Sequence, residues 1–105
     1  MMDAEGTGVL VVTVRFQIKP GEDERFFGRV SSQANSSLDL EPGCRRFDVS
    51  RNVDDPRELL LYEIYDDVEA FEEHLKSEHF RAFDAETRSW VVKKVVEKWE
   101  SRRMD

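Results

Sequence analysis

The stretch "CRRFDVSRNVDDPRELLLYEIY", Cys44–Tyr65, decides the fold. Its two ends, Cys44–Asn52 and Leu59–Tyr65, carry the apolar and aromatic residues of strands. Between them, Val53–Glu58 holds two aspartates and Pro56, which turn the chain. So short a connection pairs its strands antiparallel, as a hairpin. On the second strand the period of two sets Leu59, Leu61 and Tyr65 on one face and Leu60, Tyr62 and Ile64 on the other. Both faces are apolar, with Glu63 the exception.

The flanking segments complete the pattern. "GVLVVTVRFQIK", Gly8–Lys19, alternates strictly from Val12: Val12, Val14, Phe16 and Ile18 oppose Thr13, Arg15, Gln17 and Lys19, as on a strand with two unlike faces. Pro20 and Gly21 end it, and Glu22, Asp23 and Glu24 suit the positive end of a helix. Phe26, Val30, Ala34 and Leu38 then recur at every fourth position, with Phe27 beside them, and predict a helix from about Glu22 to Leu38. Glu41–Gly43 closes that segment. Beyond the hairpin, Asp66 and Asp67 start a helix whose apolar side is Val68, Phe71 and Leu75. After a break near Ser77, Phe80, Phe83, Thr87 and Trp90 share one side of a further helix. "VVKKVVEKW", Val91–Trp99, has four valines and no helix cap, and reads as a fourth strand.

The order is strand, helix, strand, strand, helix, strand. It predicts an α+β, ferredoxin-like βαββαβ fold with an antiparallel sheet and helices on one face. Residues 1–105 form one domain, with 1–8 a loose leader. A sheet that is apolar on both faces but covered by helices on one predicts a second buried surface. The simplest is another copy of the same sheet, in a homodimer.

Composition narrows the partners. The net charge of −7 disfavours nucleic acid and anionic membranes. Seven Phe, two Trp and two Tyr in 105 residues are too many for a disordered chain. The single cysteine, Cys44, makes no internal disulfide, which fits a reducing compartment. No signal-like opening and no long apolar run are visible, so the expected location is the cytoplasm.

Three chemistries compete for the polar residues. His74 and His79, five apart, would point about 140° from each other on a continuous helix. Without HExxH or a Cys/His cluster, no metal is expected. Cys44 reads as a small buried apolar residue rather than a nucleophile, and no phosphate-binding loop is present, so no nucleotide cofactor is expected either. Acid–base chemistry fits better. Glu63 in an apolar strand is either paired or raised in pKa, Tyr65 lies on the same side, and His74 sits at the edge of the helix–sheet core. In the alternative, Glu63 pairs with Arg15 or a histidine and only braces the fold. Arg15 then either holds an anionic substrate or serves as that partner.

The chain resembles the antibiotic biosynthesis monooxygenase family. The matching pieces are "VRFQIKPGEDERF", "EPGCRRFDVSRNVDDP" and "LLLYEIYDDVEAFEEHLKSEHF", which together run from about Val9 to Trp99. The resemblance implies a dimeric α/β barrel with a cavity between sheet and helices. It also implies oxidation of quinol-type or polycyclic substrates by O₂ without metal, flavin or haem, through the substrate's own carbanion. A similar member instead isomerises a phosphorylated autoinducer sugar, and a related branch degrades haem. The family's Y-E-x-Y strand falls on Tyr62, Glu63 and Tyr65, its A-F-x-x-H helix on Ala70, Phe71 and His74, its second histidine on His79, and its R-F-D-V strand on Arg46–Val49. Thr13 and Arg15 stand where the haem-degrading branch has an asparagine, which argues against haem. On this resemblance Glu63 and His74 are the expected acid–base pair. With them, Tyr65 is expected to donate to a developing enolate, and Arg15, Phe47, Tyr62, Phe71 and His79 are expected to bind substrate. A non-enzymatic dimer that holds a small molecule is the other expectation.

Overall fold

The structure is a computed structural model that describes residues 8–102. The expected leader lies outside these residues, apart from Gly8, which opens the first strand. Strand β1 (Gly8–Ile18) leads into helix α1 (Asp23–Leu40) and strand β2 (Cys44–Arg51). The hairpin then gives β3 (Glu58–Tyr65), followed by α2 (Val68–Lys76) and α3 (Glu78–Thr87). A single 3-10 turn at Arg88–Trp90 delivers the chain to β4 (Val91–Arg102). The sheet order is β2-β3-β1-β4, and every neighbouring pair is antiparallel. This is the βαββαβ arrangement expected, with the second helix divided in two.

Register decides what each face holds. Val12 pairs with Glu63 on one side and with Lys98 on the other; Val14 pairs with Leu61 and Val96; Phe16 pairs with Leu59 and Lys94. Paired residues share a face, so Glu63 and Lys94 point the same way as the β1 alternation, toward the helices. The core forms there from Leu10, Val12, Val14, Phe16, Leu59, Leu61 and Tyr65 with Phe26, Val30, Phe71 and Phe83. Arg15 pairs with Leu60 and Thr13 with Tyr62, both on the face that none of the described helices covers.

The helices are rotated slightly from the apolar stripes expected. On α1 the buried residues are Phe26, Val30, Gln33, Ala34 and Ser37, while Leu38 is exposed. On α2 they are Phe71 and His74, while Val68 and Leu75 are exposed. One position along a helix is about 100° of rotation. That rotation brings Ser37 in for Leu38 and His74 in for Leu75. Helix α2 starts on Asp67, whose carboxylate accepts from the Ala70 N–H at 2.8 Å. Ser77 is extended (φ −64°, ψ 149°), ends α2 and caps α3, with its Oγ accepting from the Phe80 N–H at 3.2 Å.

Two glycines have a reason. Gly21 turns the chain out of β1 at φ +88°. Gly43 lets α2 approach: a Cβ there would lie 2.6 Å from the Ala70 Cβ. Gly43→Ala is therefore expected to cost about 1–3 kcal/mol by overpacking, measured by urea denaturation. Adding Ala70→Gly should recover part of the loss. Equal stabilities for Gly43→Ala and the wild type would show that α2 has slack there.

Candidate active site

A cavity of about 40 Å³ lies between the sheet and the helices. Val14, Phe16 and Leu61 form its floor, and Val30, Phe71, Phe80 and Phe83 form its apolar wall. Into this lining project four polar groups: Gln33 from α1, Glu63 from β3, His74 from α2 and Lys94 from β4. The exposed side chains of Leu75 and Val96 stand with Lys94 at the mouth. The volume holds about three waters. A ligand larger than a few heavy atoms enters only if the mouth side chains swing outward.

Glu63 is 2% exposed and is held from below by Tyr65, whose hydroxyl donates to Oε1 at 2.6 Å. Burial dominates its titration. Against the opposing pull of the Tyr65 hydrogen bond and of His74, it lifts the carboxyl to about 7. Tyr65 is pushed far above the usual phenol range, first by burial and then by the Glu63 charge beside it, so it remains a donor. Its ring packs edge-on to Phe71 at 5.2 Å. Tyr65 thus orients Glu63 and does not line the cavity.

His74 is 3% exposed, at the centre of the packing rather than at its edge. Its ring stacks on Phe71 at 5.9 Å and lies 4.9 Å from Phe80. Nδ1 contacts Glu41 Oε2 at 2.9 Å and Ser37 Oγ at 3.4 Å. Nε2 has no hydrogen-bond partner among the described residues. Glu41 also meets His79 Nε2 at 2.5 Å. Burial alone would raise Glu41, but hydrogen bonds and charge from His74, with hydrogen bonds from His79 and Ser37, outweigh it and hold the carboxyl below its usual range.

Of the residues singled out in the sequence, the structure brings Glu63, His74, Phe47 and Phe71 to one cavity. Arg15 and Tyr62 are on the opposite sheet face, so Arg15 neither pairs with Glu63 nor reaches this cavity. His79 turns to Glu41 instead of the cavity, and Ser77 caps α3. Cys44 is buried, and burial pushes its thiol up to about 12, which suits packing rather than nucleophilic attack.

Three participants were not foreseen. Gln33 is 1% exposed, and neither Oε1 nor Nε2 has a hydrogen-bond partner among the described residues. Lys94 is the cation that faces Glu63, and its Nζ lies 5.6 Å above the Phe16 ring. Glu41 is the carboxylate that ties the two histidines together. The available signal was Gln33 at i+3 from Val30, on the buried stripe.

A carboxyl raised from 4.5 to about 7 makes a contribution to stability that is complete below about 4.5 and lost as pH rises through about 7. Glu63→Gln keeps an acceptor for Tyr65 and removes the buried charge. It should therefore raise unfolding free energy by up to about 3 kcal/mol at pH 8 and change it little at pH 5, read from urea melts at both values. An equal loss at both would mean that Glu63 braces the fold.

Comparison with known proteins agrees with this architecture. A candidate antibiotic biosynthesis monooxygenase from Nitrosomonas europaea superposes with TM-score 0.81 at 24% identity, over 86% of this chain and 95% of that one. Another from Caulobacter crescentus gives 0.86 at 19% identity, over 93% of each chain. A conserved protein from Methanosarcina mazei gives 0.76 at 23%, over 96% and 97%. At these identities the likeness concerns the fold. No curated protein matches the chain. Residues 9–86 match the model of the antibiotic biosynthesis monooxygenase family, and the chain belongs to that family.

Proposed function

We propose that this member of the antibiotic biosynthesis monooxygenase family is a cofactor-independent monooxygenase of a small phenolic, quinol or carbonyl metabolite. Family membership supports the monooxygenase-type role. The observation that carries the finer reading is Glu63: a buried carboxyl raised toward neutrality, lining an apolar cavity and fixed by the buried Tyr65 hydroxyl. That is how a general base for a weak carbon or oxygen acid is built.

In this reading, ionised Glu63 takes the proton of the substrate's O–H or acidic C–H, and a carbanion or phenolate forms. Gln33 and Lys94 stabilise its oxygen, by an N–H donor and by charge. The electron-rich carbon gives two electrons to O₂ and forms a C–O bond, and the proton that Glu63 took completes the hydroperoxide. Glu63 then removes the remaining C–H proton from that carbon as the O–O bond breaks, which leaves a new carbonyl, with one oxygen atom in the product and the other departing as hydroxide. His74, held through Nδ1 by Glu41, returns a proton to the departing hydroxide from its other ring edge. The apolar wall keeps bulk water from the carbanion.

Oxygen uptake with hydroquinones and 1,3-diketones tests this. Glu63→Gln should lower kcat at least about 100-fold, and wild-type kcat/KM should rise through an apparent pKa near 7. Undiminished uptake by Glu63→Gln would sink the reading. An isomerase of a phosphorylated autoinducer-like sugar has one observation in its favour: Lys94 at the mouth and Lys98, 6.0 Å from the Phe71 ring, offer charge for a phosphate. It would turn over without consuming O₂. A non-enzymatic dimer that binds a small molecule would bind without turnover.

The assembly proposed is a cytoplasmic homodimer through the helix-free sheet face. Leu60, Tyr62 and Trp99 are exposed on that face. No helix of the described residues is long and apolar enough to cross a membrane. Light scattering at micromolar concentration should give twice the chain mass for the wild type, and Leu60→Asp/Tyr62→Asp should give the monomer. A monomeric wild type would count against the pairing.

A further inference from the structure

The end of α1 and the α2–α3 junction meet around one carboxylate. Glu41 caps α1, its backbone N–H donating to the Ser37 carbonyl, so its side chain starts from a fixed point. The carboxylate is 2.9 Å from His74 Nδ1 and 2.5 Å from His79 Nε2. One ligating atom from each of the three residues lies within 4.8 Å of the others. Two histidines five residues apart would diverge on a continuous helix. The extended backbone at Ser77 redirects α3, and His79 swings back to the same carboxylate as His74. Two imidazole nitrogens and a carboxylate oxygen, from three different segments, make a donor set for a borderline divalent ion.

We propose that Glu41, His74 and His79 bind one divalent cation of the Zn²⁺ or Co²⁺ class. A tetrahedral ion with ligands at about 2.1 Å spaces its donors about 3.4 Å apart, so side-chain rotations of roughly an ångström suffice. Water fills the remaining position from the open cleft that Leu40, Glu73 and Lys76 form beside Glu41 and His79. The ion sits on the Nδ1 side of His74, and neither Glu41 nor His79 lines the Glu63 cavity. It is therefore not in contact with the proposed substrate. Its effect is to clamp α1 to the α2–α3 junction and to fix His74 as a ligand. This site stands independently of the oxygenase reading, since its test reads binding.

The test is titration of the untagged, chelator-treated full chain with CoCl₂, followed by ZnCl₂. Visible d–d absorption should saturate at one Co²⁺ per chain, Zn²⁺ should abolish it, and either ion should raise Tm. His79→Ala should weaken Co²⁺ binding at least tenfold. Its ring is part-exposed, so the fold should persist, as checked by circular dichroism. Glu41→Gln, which keeps the shape of the side chain, should weaken it similarly. Wild-type binding no tighter than that of His79→Ala, or full one-to-one binding in both variants, overturns the proposal.

Discussion

A carboxyl group on the inner face of a central strand has three options: it can be paired with a cation, hydrated or kept neutral. Glu63 lies between Leu61 and Tyr65 on the buried side of β3, and β1 and β2 flank it. The pleat gives it no route outward. The surrounding structure is arranged to tolerate it. Tyr65 supplies a donor, the cavity supplies a small space, and Lys94 and His74 supply charge at a distance that moderates the cost of burial without removing it. A group kept part-way between neutral and ionised at physiological pH is costly as a brace and useful as a base, which is why the proposed chemistry starts there.

The fold was legible because its signals are local. Strict alternation from Val12, the proline-broken hairpin and the acidic helix starts each name their element without reference to any other. The fourth strand was readable from its valines, but its orientation was not. In "VVKKVVEKW" the residues come in like pairs, so either parity looks equally apolar. Only pairing with β1 turns Lys94 and Val96 inward. The same ambiguity governs the helices. Ser37 and Leu38, or His74 and Leu75, are one residue apart, and packing against the sheet chooses between them against the hydropathy of the side chains. The buried histidine is compensated by its contacts with Glu41 and Ser37, which a leucine at that position could not make.

Site residues separate along the same line. Glu63 stood out because it interrupts an apolar strand, and His74 because so few histidines are present. Arg15 had the right charge on the first strand, yet its face depends on the register Val12 with Glu63, which no single segment contains. Glu41 reads as part of a Glu-Pro-Gly turn, and its role appears only where the turn meets the α2–α3 junction.

Gln33 has a consequence for what the cavity accepts. An amide with neither donor nor acceptor engaged is most unfavourable beside hydrocarbon and least so beside a ligand carrying both a hydroxyl and a carbonyl. The apolar wall alone would distinguish poorly among molecules of similar shape, since a methylene changes binding by only about 1–3 kcal/mol. An unfilled amide works instead by exclusion. In the proposed reading, a compound of the right size but without polar edges would leave Gln33 unpaired, and the pocket would select by what it rejects more than by what it holds.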